Sequence, residues 1–205
     1  MKTAGKSRTQ EAGVDFGTYH HSTPEESAAV RARAEEVFSG ILPSLFPANA
    51  QIRILDAGCG LGFLMHVAAK CFPNASITGV DLFKHGSVSD LSIEKAVTNM
   101  KILGISSRTT FLKHDLMRPL SPEEKYDLVV SHVVFHNMGK KRFNAYETVL
   151  SALRPAGFFV LGDLFPKSNE DLKYFSSRAA LIQELREGNF GPWAYGIKVL
   201  RKNLG

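Results

Sequence analysis

Residues 54–62 read ILDAGCGLG, an apolar run that meets Asp56 and then Gly58, Gly60 and Gly62 at every second position. Glycines placed so let a chain turn tightly and let a ligand approach the main chain where a Cβ would collide. Three alternating glycines are more than a strand-to-helix turn requires. Further on, ITGVD ends in Asp81, whose carboxylate oxygens suit a pair of adjacent hydroxyls. FLKHDL carries Asp115, an acceptor, and SHVVFHN carries His132 and His136, the side-chain type best suited to moving a proton near neutral pH. Neither Cys59 nor Cys71 has a Cys or His at zinc spacing, and two thiols build no disulfide framework. Both read as small buried fillers, and no metal is expected.

These residues need elements to hold them. At 205 residues, with 44% hydrophobic and 22% charged, the chain is long enough for one sizeable core and short for two. No apolar stretch approaches the ~18 residues of a membrane span, and the start, MKTAGKSRTQEAG, lacks a signal-peptide core. A cytoplasmic protein is the expectation. The net charge of +5 comes from scattered Lys and Arg, with one cluster at Lys140, Lys141 and Arg142. That argues for a solvated face and against a nucleic-acid footprint.

Residues 1–18 are expected to be a disordered tail, and 19–205 a single domain. Thr23-Pro24-Glu25-Glu26 has the form of a capping box with proline at the first helical position, which predicts a helix to about Leu45. The pattern then predicts strand Arg53–Ala57, helix Gly62 to about Cys71, strand Ser76–Asp81, helix from about Ser92 to Leu103 and strands Thr109–His114 and Tyr126–Ser131. A helix from about Arg142 to Leu153 and strand Gly157–Leu164 follow. Short apolar strands alternating with longer helices mean an α/β fold, a doubly wound and mostly parallel sheet covered on both faces. Ligands bind such sheets beyond the carboxyl ends of the strands, where strand order reverses. The glycine stretch lies at one of those ends. Beyond the fifth strand, Ser168–Glu187 reads as a helix and Ala194–Lys202 as a strand, with GNFGPW too short for a further strand and its turn. A shortened C-terminal edge is expected.

The glycines exclude some ligands. No Gly-Lys-Ser/Thr follows them, so this is no P-loop, and a dinucleotide fold wants a glycine or alanine where Phe63 stands. What remains, D-x-G-x-G-x-G with Asp81 at the end of the next strand, resembles the class I S-adenosylmethionine-dependent methyltransferases, with their Rossmann-like fold. The resemblance runs from about Ile52 to Leu164: ILDAGCGLG looks like the first motif and ITGVDL like the acidic second strand. EKAVTNMKILGI is similar to the helix that follows, FLKHDL to the third-strand segment, YDLVVSHVVFHNM to the fourth strand and its loop, and LRPAGFFVLGDL to the turn into the fifth strand.

The resemblance implies S-adenosyl-L-methionine as cofactor. It implies Asp81 on both ribose hydroxyls, the backbone at Gly58 and Gly60 along the methionine part, and Asp56 on the side of the amino end and sulfonium. It places Asp115 at the adenine amine, with Leu82 and Leu116 at the adenine faces. Cys59, Gly62, His114 and Ser131 complete the donor set by their places in these motifs. Methyl transfer is an in-line displacement in which positioning does much of the work. A base helps where the nucleophile carries a proton, and His136, then His132, are the candidates. Tyr19, His20 and His21 fall in a segment that often covers the active site in relatives.

The acceptor is narrowed by exclusion. Asn-Pro-Pro-Tyr is absent after the fourth strand, a Pro-Cys nucleophile is missing, and both cysteines sit in the donor half, away from an arsenite-type pocket. A small-molecule acceptor follows, SHVVFHN looking most like branches such as the quinone-biosynthesis type. A homo-oligomer stays open. Two alternatives also stay open: a non-catalytic S-adenosylmethionine-binding or activator subunit, and an aminopropyl transferase of the spermidine-synthase type.

Overall fold

The computed structural model describes residues 13–84, 86–165, 169–190 and 193–204. Helix α1, Pro24–Ile41, starts at the capping box: the Glu26 N–H donates to Thr23 Oγ1 (3.2 Å) and the Thr23 N–H to Glu26 Oε2 (2.8 Å). Pro43 then turns the chain into a 3-10 segment, Leu42–Ser44, so the α-helix stops short of Leu45. Strands β1 (Arg53–Ala57), β2 (Ser76–Asp81) and β3 (Thr109–Lys113) alternate with α2 (Phe63–Cys71) and α3 (Ile93–Ile102). Strand β4 (Tyr126–His132), a 3-10 turn (Phe135–Lys141), α4 (Arg142–Ala152) and β5 (Leu153–Phe165) follow.

The sheet order is β3-β2-β1-β4-β5-β7-β6, with β1 to β5 parallel, so chain order reverses between β1 and β4. Helices α1, α2 and α3 cover one face, where Phe38, Met65, Phe72 and Met100 pack on Ile54, Leu128 and Val160. The other face carries α4 and a short α5 (Glu170–Phe175), with Tyr146, Val149 and Phe175 on Leu55, Val129 and Phe159. Residues 114–125 join β3 to β4 without a helix. Among the described residues no helix is long and apolar enough to cross a membrane.

Two expectations are corrected. The C-terminal edge is not shortened: after α5 the chain forms β6 (Ala179–Phe190), antiparallel to β7 (Trp193–Lys202), which is itself antiparallel to β5. The residues LIQELRE are mostly good helix formers, but β7, paired to β5 on one side, offers an open edge on the other, and a ladder along that edge outweighs local propensity. Pairing closes at Phe190 and Trp193, two intervening residues being enough, and register shifts at Leu181/Gln183 and Arg186/Gly188 absorb the mismatch. The packed chain also begins before residue 19. Val14 is buried, and Asn99 Nδ2 donates to the Asp15 carbonyl (2.9 Å). Residues 1–12, the rest of the expected tail, lie outside the described residues.

Candidate active site

The glycine loop is held from within. The Gly58 and Cys59 N–H groups donate to the Val80 carbonyl (2.8 and 3.1 Å), and the Gly60 N–H to Asp81 Oδ2 (3.0 Å). Asp81 Oδ1 accepts from the Phe83 N–H (2.8 Å). The carboxylate expected to face a ligand thus also braces the loop beside it. A side chain at Gly60 would project into open space, with nothing within 4 Å, whereas one at Gly58 would meet Val134 at 2.4 Å. Gly60 lies open to a ligand, and Gly58 is glycine so that the loop after β4 can close on it.

Asp56, at the end of β1, is buried, and its Oδ2 has no hydrogen-bond partner among the described residues. Burial, then the like charge of Asp81, push its carboxyl up to about 8, against the Met65 N–H. Above it lies a strap, residues 14–22. Thr18 and Ser89 exchange hydrogen bonds, the His20 N–H donates to Ser87, and Tyr19 bridges Val88. Arg31 of α1 donates from Nη2 to the Gly17 carbonyl (2.8 Å) and stacks over the Tyr19 ring at 5.1 Å. Its Nη1 is buried with no hydrogen-bond partner among the described residues. Tyr19 feels both charges: burial raises its hydroxyl, Arg31 opposes the rise and Asp56 adds to it. An unsatisfied buried carboxylate oxygen and an unsatisfied buried guanidinium N–H are what the amino and carboxylate groups of a methionine moiety would complete.

The other donor-site expectations fare differently. Leu116 is buried, while Leu82 is exposed. Asp115 Oδ1 accepts from the Met117 N–H (2.9 Å) in a tight turn, and His114 joins its N–H to the Asp81 carbonyl (3.0 Å) and Nε2 to the Arg118 carbonyl (3.0 Å). Gly62 is the left-handed cap of α2, under Met100. Cys59 turns its thiol into the sheet against Gly79, with its pKa raised by burial. Ser131 is fully buried and donates to the Ala57 carbonyl (2.7 Å), so its hydroxyl joins β4 to β1 and presents no surface to a ligand.

The two histidines part company. His132 is enclosed by the rings of Tyr19, Phe38, Phe63 and Tyr195, with Nδ1 3.4 Å from the Tyr19 hydroxyl. Burial, then Arg31 and His136, lower its pKa to about 3. An imidazole so reluctant to take a proton is a poor general base, and these ring contacts favour packing over the expected catalytic role. His136 lies in the 3-10 turn after β4, with Nδ1 2.6 Å from Oδ1 of Asp163, a residue at the end of β5. It lines a cavity of about 60 Å³ with Tyr146, Arg142, Leu164, Phe165 and Asp171. The turn is entered through Val133 at φ +51°, a strained conformation for a β-branched residue. His20 and His21 are exposed, ring on ring.

Asp163 and Arg31 were not singled out from sequence. An acidic residue closing a parallel strand was a usable signal for Asp163. Nothing local marks Arg31, whose role exists only because α1 packs over the strap.

Residues 48–193 match the model of a methyltransferase domain family. A malonyl-[acyl-carrier protein] O-methyltransferase of Bacillus cereus is 31% identical over 65% of this chain and 43% of its own length. A 27-O-demethylrifamycin SV methyltransferase of Amycolatopsis mediterranei is 26% identical over 70% of this chain and 50% of its own. The chain thus spans about half the length of these curated relatives. The structure of N-methyltransferase NodS from Bradyrhizobium japonicum, in complex with S-adenosylhomocysteine, superposes with a TM-score of 0.62 at 15% identity, covering 84% of this chain and 87% of that one. With the family model matching well over half of it, the chain belongs to the class I S-adenosylmethionine-dependent methyltransferases, whose cofactor is S-adenosylmethionine.

Proposed function

We propose that the protein methylates a small molecule held over the ends of β4 and β5, with the donor lying across the ends of β1 and β2. The observation that carries this reading is that Asp56 Oδ2 and Arg31 Nη1 are buried with no hydrogen-bond partner among the described residues, while Gly60 lies open. When bound, the donor supplies a methyl group on a sulfonium, an electrophile that needs no acid or base to activate it. Asp56 and Arg31 hold the methionine end, and Asp81 takes the ribose hydroxyls while keeping the Gly60 loop in place. Asp115, Leu82 and Leu116 border the adenine. The strap excludes water, which strengthens each polar contact beneath it. His136 faces the acceptor as general base.

Two relatives are named for a malonyl carrier and a rifamycin, which fits a small-molecule acceptor, and another is named for U6 snRNA, so the acceptor reading rests on the cavity at His136 rather than on the relatives. Calorimetry with S-adenosylhomocysteine tests the donor half: Arg31→Met should weaken binding by about ten- to a hundred-fold, the loss of a charge-assisted hydrogen bond. Unchanged affinity in a folded variant would remove Arg31 from the site. Labelled methyl appearing in RNA and in no small molecule would overturn the acceptor reading.

A further inference from the structure

The carboxylate of Asp163, 1% exposed, is surrounded by donors. Oδ2 accepts from the Phe135 N–H (2.8 Å) and the His136 N–H (3.3 Å), and Oδ1 from the Leu164 N–H (2.8 Å). The remaining contact, 2.6 Å from Oδ1 to His136 Nδ1, is then made by the imidazole donating. A neutral imidazole that donates from Nδ1 keeps its lone pair on Nε2. No hydrogen bond occupies that nitrogen among the described residues, and the side chain, 22% exposed, borders the cavity.

The charges around the same cavity are already paired. Arg142 donates to Asp171 (2.7 Å), to Glu170 (3.3 Å) and to the Gly139 carbonyl (2.9 Å). Tyr146 is stacked against Phe135 at 4.7 Å, and Leu164 and Phe165 complete the wall. Among the described residues that line the cavity, an anionic acceptor group finds no unpaired cation. An ammonium would be brought up to the Arg142 guanidinium. We infer that Asp163 fixes His136 as the Nδ1–H tautomer and so fits the site to an acceptor methylated on a neutral hydroxyl. This rests on the methyl-transfer reading above.

The step balances. The acceptor oxygen bonds the methyl carbon, leaving the carbon–sulfur electron pair on sulfur, and gives its own proton to Nε2. The imidazolium so formed is held by Asp163 and loses the proton to water. A carboxylate acceptor is ionised at neutral pH and has no proton to give, so the pair would be idle with it. The cavity has room for about four to six waters at roughly 10–15 Å³ each, so it takes the hydroxyl end with its adjoining atoms and leaves the rest of the acceptor outside.

The tautomer is read first, in the donor-free protein. With 15N-histidine label, and His136→Gln to identify the signal, wild type should show Nδ1 protonated and Nε2 bare. Asp163→Asn, whose amide can donate, should move the proton to Nε2. An Nε2–H wild type, or no change in the variant, overturns the inference. The second arm incubates the protein with methyl-labelled S-adenosylmethionine and the dialysable fraction of a cell extract. Alkali-stable methyl ethers are expected, and Asp163→Asn or His136→Gln should slow their formation at least about 10²-fold while S-adenosylhomocysteine affinity stays level. Alkali-labile methyl esters, N-methyl products or no labelled product sink the hydroxyl assignment. S-adenosylhomocysteine binding separates the failures: if wild type binds it and labels another product, only this inference falls, and if it binds but labels nothing, or does not bind, the methyl-transfer reading falls too. Should Asp163→Asn not fold, His136→Gln decides the second arm.

Discussion

Gly58 and Gly60 stand two residues apart in one loop with positive φ, +80° and +51°, yet substituting alanine should break different things. At Gly60 a Cβ meets no protein atom within 4 Å, so the fold bears only the left-handed conformation, about 1–2 kcal/mol. For a chain of this size that is roughly 2–8 °C of melting temperature. The new methyl instead fills space the donor needs. A displacement costing about 1.4–3 kcal/mol is ten- to more than a hundred-fold in S-adenosylhomocysteine affinity. At Gly58 the Cβ would lie 2.4 and 2.6 Å from the Val134 methyls and 3.0 Å from its branch carbon, and β-branching leaves Val134 little room to rotate away. Overpacking adds about 1–3 kcal/mol to the same backbone penalty, or about 2–5 kcal/mol in all. Urea denaturation and calorimetry on both variants give the comparison. Gly60→Ala should be folded and weak in binding, and Gly58→Ala unstable first. A Gly60→Ala protein with unchanged affinity would refute the claim that the donor passes over that residue.

His132 has a pKa of about 3 in the fold against 6.5 in the unfolded chain, so the unfolded state takes up its proton first as pH falls. Its contribution is complete above pH 6.5 and is lost toward pH 3, about 2 kcal/mol being gone by pH 5. His132→Phe should lose that part of the acid sensitivity in urea titrations at pH 7 and 5, and identical sensitivity in both proteins would count against a neutral buried imidazole. Asp56, raised to about 8, is protonated at pH 7 before the donor arrives, and a cationic amino group should expel the proton. Binding enthalpies of S-adenosylhomocysteine in buffers of different ionisation heat should show close to one proton released, and none with Asp56→Asn. Arg142 and Asp171 form a nearly dry ion pair, 8% and 3% exposed, so Asp171→Ala leaves the buried guanidinium only the exposed Glu170 and the Gly139 carbonyl and should cost about 3 kcal/mol of unfolding free energy. A loss below about 1 kcal/mol would mean that water reaches the pair.

The sequence by itself determined the parallel half of the sheet and the donor loop. Both are local: strands β1 to β4 are short apolar runs with turn residues at their ends, α1 carries its own capping box, and ILDAGCGLG followed by Asp81 encodes a strand, a turn and an acceptor within one β-α-β unit. The C-terminal pair was decided elsewhere. LIQELRE has no strand period and became β6 because β7 offered it an edge, an interaction that no window of sequence contains. Site roles divide along the same line. Gly58, Gly60 and Asp81 are brought together by residues adjacent along the chain or one strand apart. The sequence named His132 and His136 together but could not separate them. Burial among rings from the strap, α1, α2 and β7 makes one an inert neutral imidazole. Asp163, 27 residues away, orients the ring of the other through its Nδ1. Arg31 reaches the donor side only through the packing of α1 over residues 14–22. Chemistry carried by one element is written in its residues, whereas burial, tautomer and the pairing of distant charges belong to the packing of several elements and exist only once the chain has folded.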